Sequence, residues 1–174
     1  MILRRDFVVG AASGNFEICE LQRRPDFLDK VAAWHYRECL RQGLQTTLEK
    51  RKSRLAQHLK YDPKIPQTWL AINENILVGC ISLVSYHLQS AANSSSQSEP
   101  LWLSNLFVEP EYRRRGVGSE LMNTVISYSR ELGERELWLI ASDQTDYYRS
   151  RGWHTVRQVR IAKQPANVMR VSLL

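Results

Sequence analysis

The chain has 174 residues, 43% of them hydrophobic and 24% charged. That length gives one domain with its own core, and the balance excludes both a disordered chain and a coiled coil. The net charge of +6 favours anionic partners without choosing between nucleic acid, an acidic protein and a polyanionic cofactor. No apolar run reaches the length of a membrane span. Cys19, Cys39 and Cys80 have neither metal-ligand nor disulfide-framework spacing, and they read as reduced thiols of a cytoplasmic protein.

Residues 1–14 read as a short N-terminal extension. Arg4 and Arg5 resemble a twin-arginine export signal, but the apolar stretch 7–12 is too short for a signal core. Residues 15–174 read as a single domain. Alternation over 16–21 predicts a half-buried strand. Pro25 and Asp26 open a helix expected to run to about Gln42, with Gly43 as its stop. Leu28, Val31, Ala32, His35 and Cys39 fall on one face of it. A second helix is expected from Thr46, where Thr46 and Glu49 have the spacing of a capping box. Pro63 and Pro66 end it.

Strands follow at 68–72 and from Ile76 to about His87, joined by a tight turn at Asn73-Glu74-Asn75. Gly79 within the second of these marks a bulge or a close packing contact. The Ser- and Asn-rich stretch 89–100 reads as a flexible loop inside the domain. A strongly apolar strand is expected at 101–108, a charged loop after it, then a helix at 118–132 stopped by Gly133. A buried strand at 136–140, a short helix at 145–151 and strands at 153–161 and 168–174 complete the chain. This order is that of a mixed α/β domain on one sheet.

The strand–loop–helix passage Arg113-Arg114-Arg115-Gly116-Val117-Gly118 is a physical recipe for holding phosphate. A helix's first turn has unpaired N–H groups and a partial positive charge. Gly116 and Gly118 let a phosphate approach the backbone, and the arginines add charge. An NTPase loop would need Gly-Lys-Ser/Thr, but Ser119-Glu120 follows Gly118. A dinucleotide loop would need a third glycine, where Leu121 stands. The bland alternative is a tight helix entry with a solvated arginine patch.

Arg113-x-x-Gly116-x-Gly118 resembles the acyl-CoA-binding motif of the GNAT N-acetyltransferases, written Gln/Arg-x-x-Gly-x-Gly/Ala. Downstream, Tyr147-Tyr148-x-x-x-Gly152-Trp153 resembles that family's aromatic-Tyr-x-x-x-Gly-aromatic segment, and the element order is similar over nearly the whole chain. The resemblance implies the GNAT fold: a central, mostly antiparallel sheet with splayed fourth and fifth strands, flanked by helices. It implies acetyl-CoA as co-substrate, no metal, and transfer to a primary amine. The backbone of Leu106, Phe107 and Val108 would hold the pantetheine arm. Arg113, Arg114, Arg115, Gly116, Val117, Gly118 and Ser119 would hold the pyrophosphate.

Tyr148 matches the family tyrosine that protonates the leaving thiolate, a suitable role for a phenol that stays protonated at neutral pH. The alternative for Tyr148, and for Tyr147, is core packing. The fourth-strand glutamate of many relatives is absent, since Trp102-Leu103-Ser104-Asn105 stands there. Ala141 takes the place of the usual asparagine after the fifth strand. Asp143, Glu109 and His87 remain as candidate bases, each with a structural alternative.

The stretch Ser142 to Tyr148 also resembles that of relatives acting on acidic actin N-termini. Lys50, Arg51, Lys52 and Arg54 lie where the acceptor site usually borders. An acidic peptide acceptor is therefore one expectation, and a solvated helix face is its alternative. A non-catalytic acyl-CoA-binding module is the second functional reading, and a homodimer stays open. A nucleic-acid or membrane partner is not expected, because no recognition motif appears.

Overall fold

A computed structural model describes residues 16–86 and 99–174. The N-terminal extension, His87 and nearly all of the Ser-rich stretch lie outside those residues. Seven strands form one sheet in the order β1-β2-β3-β4-β5-β7-β6. The strands are β1 (Glu17–Glu20), β2 (Gln67–Asn73), β3 (Ile76–Ser85), β4 (Leu101–Val108), β5 (Glu136–Ala141), β6 (His154–Ile161) and β7 (Gln164–Ser172). The helices are α1 (Leu28–Arg41), α2 (Leu48–Ala56), α3 (Val117–Glu131) and α4 (Thr145–Arg149). Every neighbouring pair is antiparallel except β4 with β5, which is parallel.

Each face of the sheet has its own core. Leu70, Ile72, Leu77 and Cys80 pack with Val31, Ala32 and Trp34 of α1 and Leu55 of α2. On the other face Ala71, Val78, Ile81 and Leu83 meet Val117, Leu121, Met122 and Val125 of α3, together with Leu137, Leu139 and Trp153. The period-2 alternation of β2 and β5 sorts their side chains between the faces, as a strand buried on both sides requires.

Several boundaries differ from the sequence expectation. A 3-10 turn, Pro25–Phe27, precedes α1. The second helix starts at Leu48 with Thr47 as its cap, Thr47 Oγ1 accepting from Lys50 N at 3.2 Å. The Thr46–Glu49 capping box does not form, because Thr46 Oγ1 instead accepts from Arg51 Nε at 3.0 Å. The helix gives way to a 3-10 turn, Gln57–Leu59, before the prolines. The last strand begins at Gln164 rather than 168. There Ala162 and Lys163 take positive φ in a two-residue turn that pairs β6 with β7.

Gly79 lies where β3 meets both the bulged β4 and α3. A Cβ on it would come within 2.9 Å of Phe107 O, 3.2 Å of Leu121 Cδ1 and 3.3 Å of Val117 Cγ1. The glycine is a packing requirement, as its place inside a strand suggested. Gly79→Ala should destabilise the fold by about 2 kcal/mol through overpacking. The shift of the urea midpoint at unchanged slope measures it.

A small polar cluster lies under α1 and α2. His58 Nδ1 and Thr68 Oγ1 are 2.8 Å apart, and Thr68 Oγ1 and Ser82 Oγ are 2.7 Å apart. His35 is buried nearby. Desolvation, then the proximity of His58 and Arg51, lowers the His35 pKa to about 3. Burial lowers that of His58 to about 4. Both imidazoles are neutral in the folded state, while in the unfolded chain they titrate near 6.5. Their contribution is therefore complete above about pH 6.5 and is lost as pH falls towards about 4, because only the unfolded chain takes up protons in that window. The loss reaches up to about 1.4 kcal/mol per pH unit for each histidine. Melting temperatures should fall across this window, and His35→Leu should flatten the slope.

Candidate functional site

β4 and β5 run in the same direction, yet the only registered pair between them is Trp102 opposite Trp138. Beyond that point the strands diverge, leaving a gap walled by the rest of β4 and by the end of β5. The Trp102 and Trp138 rings, with centroids 5.9 Å apart, close its narrow end. Tyr86 stacks on Trp102 at 4.7 Å. β4 turns away through a bulge. Between the pairs Cys80–Phe107 and Ser82–Ser104 it carries one residue more than β3, and Asn105 has φ of 53°. The carbonyl of Asn105 accepts from the Cys80 thiol at 3.6 Å.

The wall of the gap is therefore the free edge of β4 around Leu106 and Val108. Phe107, expected beside them, pairs with Cys80, and like Glu109, whose N donates to Val78 O at 2.8 Å, it turns its backbone groups to β3. Phe107 packs its ring against Trp34 of α1 at 4.5 Å. Val108 already has a partner on its carbonyl, since Arg113 Nε donates to it at 2.9 Å. That bond folds the arginine loop back onto the end of β4.

Arg114 (φ 58°) and Gly116 (φ 86°) are left-handed, so the loop reverses sharply into α3. A Cβ on Gly116 would meet nothing within 4 Å; glycine is needed there for conformation, not for space. No side chain caps α3, which leaves the first-turn N–H groups of Val117, Gly118 and Ser119 without a side-chain acceptor. The Val117 side chain is in the core, so Val117 can offer a ligand only its backbone. Arg115 lies over the Tyr112 ring at 5.4 Å.

α4 meets this loop from the other side. A Cβ on Gly118 would lie 3.1 Å from Tyr147 Oη, so the phenol of Tyr147 rests directly on the first turn of α3. Arg151 stacks on the Tyr147 ring at 3.7 Å, and its Nη2 donates to Ser119 Oγ at 3.3 Å. Tyr147 thus both packs against the core, as its alternative had it, and lies beside the loop. Arg151 escaped the sequence reading. Its one signal was its spacing, four residues after Tyr147, which puts both on one helical face.

Tyr148 points elsewhere, its ring nearly perpendicular to Tyr147 (84°) and 6.0 Å from the buried Trp153. Its pKa is pushed up to about 12, first by burial, then by the nearby Tyr147 and Asp143. Arg151 acts in the opposite direction.

Two of the three candidate bases are engaged elsewhere, and His87 lies outside the described residues. Asp143 accepts from Arg41 Nη1 at 3.0 Å, and Glu109 has Lys30 Nζ at 3.9 Å. On the second helix, Arg51 turns inward, with Nη1 donating to Cys39 Sγ at 3.5 Å. Lys52 pairs with Asp29 at 3.1 Å. Lys50 and Arg54 are exposed, so this face carries less free charge than its sequence suggested. Among the described residues no group of His, Cys, Asp and Glu is placed to hold a metal, and no helix is long and apolar enough to cross a membrane.

Solved acetyltransferase structures share this architecture. An aminoglycoside 6′-acetyltransferase of type Ii superposes with a TM-score of 0.66 at 16% identity, over 90% of this chain and 97% of that one. The N-acetylglutamate synthase of Neisseria gonorrhoeae, complexed with coenzyme A and N-acetyl-glutamate, gives 0.68 at 16% identity, over 94% of this chain and 36% of that one. A chain of the NatC complex bound to Gag peptide and CoA gives 0.66 at 15% identity, over 92% and 100%. At such identities the likeness is one of fold. No curated protein matches the sequence. The model of the Acetyltransferase (GNAT) family matches residues 29–153, which takes in α1, the split sheet, the arginine loop and the tyrosine segment. The chain belongs to the GNAT family of acetyltransferases.

Proposed function

We propose that the chain is an acetyl-CoA-dependent N-acetyltransferase that acetylates a primary amine of a small molecule, peptide or protein by direct transfer in a ternary complex. The observation that carries this reading is the gap between β4 and β5, which opens onto the uncapped end of α3. An extended pantetheine arm matches the first in hydrogen-bonding need, and a pyrophosphate matches the second in charge. The backbone of Leu106 and the N–H of Val108 would hold the arm, with Phe107 between them keeping that segment of β4 paired to Cys80. Arg113, Arg114, Arg115 and the amides of Gly116, Val117, Gly118 and Ser119 would hold the phosphates. Solved relatives of the same fold contain coenzyme A, which supports the same ligand here.

In the reaction the neutral amine attacks the thioester carbonyl, the C–N bond forms, the C–S bond breaks and the sulfur leaves as thiolate, while the extra proton on the new C–N nitrogen passes to water to give the neutral amide. Tyr148 is the acid in this proposal. Its phenol, at about 12, is weaker than a thiol near 8.5, so complete transfer to sulfur is uphill by about 3.5 units. Tyr148 therefore acts chiefly by holding its proton in a hydrogen bond to the sulfur as charge develops, and the thiolate can leave as such above its own pKa. With Asp143 and Glu109 both paired to cations, the amine proton is best lost to water before attack. A non-catalytic acyl-CoA-binding module would share the gap and the loop but make no use of Tyr148.

Tyr148→Phe should lower kcat about 100-fold while the KM for acetyl-CoA stays within about twofold, read as thiol release across a panel of amines and peptide N-termini. A wild-type chain that binds acetyl-CoA but releases no thiol with any of them would favour the binding module. For the wild type, kcat/KM should rise with pH as the amine loses its proton. It should not decline by about pH 10, since the phenol is still protonated there.

A further inference from the structure

Arg151 stands in an electrostatically odd place. Its guanidinium bonds Ser119, the third residue of α3, where the helix end already carries positive charge. Arg113, Arg114 and Arg115 gather at the same end, and the acidic residues nearest in sequence are Glu111 and Glu120. Among the described residues no carboxylate lies within ion-pair distance of Arg151. Its other contacts are neutral: the Tyr147 carbonyl at 3.0 Å, Ser150 Oγ at 3.2 Å and the Tyr147 ring. These contacts fix a planar cation over a positive helix end with donors to spare. An anion seated between the two would turn that repulsion into two attractions.

We propose that Arg151 is the second jaw of a phosphate clamp, binding a cofactor phosphate against the α3 N-terminus and, through α4, positioning Tyr148. This rests on the reading of the gap as an acyl-CoA site. The mechanical link is short. Arg151 N donates to Tyr148 O at 2.9 Å, and Trp153 N donates to the same carbonyl at 3.2 Å. α4 itself is only five residues long and has no side-chain cap, so it has little stiffness of its own. Arg41–Asp143 is an exposed ion pair at the loop before α4 and holds that loop weakly. Seating a phosphate on Arg151 would fix the far end of α4, and with it the tyrosine that faces the reacting sulfur. Arg151 is thus a positioning residue for Tyr148 and a binding residue for the cofactor.

The proposal distinguishes the pyrophosphate from the 3′-phosphate of the same cofactor by experiment. Binding of coenzyme A and of 3′-dephospho-coenzyme A would be measured by calorimetry on the wild type, Arg151→Ala and Arg151→Lys. Loss of a charge-assisted hydrogen bond predicts about tenfold or more weaker coenzyme A binding for Arg151→Ala, with Lys recovering part of it. An equal loss with the dephospho ligand assigns the contact to the pyrophosphate, and a loss confined to coenzyme A assigns it to the 3′-phosphate. Unchanged binding of both ligands by Arg151→Ala overturns the clamp. If the wild type binds neither ligand, the acyl-CoA reading itself fails and the clamp falls with it.

For the positioning role, Arg151→Ala at saturating acetyl-CoA should lower kcat about tenfold in the wild-type background and leave it unchanged in Tyr148→Phe. An equal fall in both backgrounds overturns that role.

Discussion

Everything at the candidate site depends on a sheet that is continuous at one end and open at the other. β4 and β5 are neighbours in parallel, held by one registered pair and a contact between two indole rings. Elsewhere in the sheet each strand is zipped to its neighbour over several residues. The separation is not a defect of packing, because both walls are anchored from behind. β4 is held by β3 and by α3, and β5 is paired along its whole length with β7. Each wall has a full partner on its far side and one core joins the two behind it, so the gap can persist. Its backbone groups then need partners that the protein does not supply.

The bulge at Asn105 and the loop after Val108 extend the same logic into electrostatics. The bulge turns β4 away from β5, and the Arg113 side chain folds the loop back onto the strand end. α3 then starts beside the mouth of the gap, uncapped. Cations converge there from two well-separated segments of the sequence, three on the loop and Arg151 beyond α4. The chain's net charge of +6 is thus partly local, concentrated where an anion would be held, while much of the basic face of α2 is turned inward or paired.

Much of this was legible in the residues themselves. The glycine loop and the tyrosine segment identified the family because each encodes a backbone shape: a left-handed turn into a helix in one case, a one-turn helix before a strand in the other. Alternation placed β1, and apolar content placed β4 and β5, within a residue or so. What failed did so for local reasons. Thr46 and Glu49 have capping-box spacing, but Thr47 lies one residue nearer the helix and Arg51 claims the Thr46 hydroxyl. Arg51 looked available to an acceptor because spacing alone cannot show that a guanidinium folds back onto Cys39. Arg151 was missed because its partner Ser119 is distant in sequence and meets it only when α4 docks on α3. Asn105 carries only a weak sequence mark of a bulge: asparagine tolerates the positive φ it adopts better than most residues.

The central claim is that coenzyme A lies along the open edge of β4 with its phosphates on the start of α3. Hydrogen–deuterium exchange with and without coenzyme A reads both contacts at once. The account predicts slowed exchange of the amides of Leu106 and Val108 and of residues 114–119, with little change in β1, β2 and α1. Protection confined to other elements, or none at saturating coenzyme A, would contradict it.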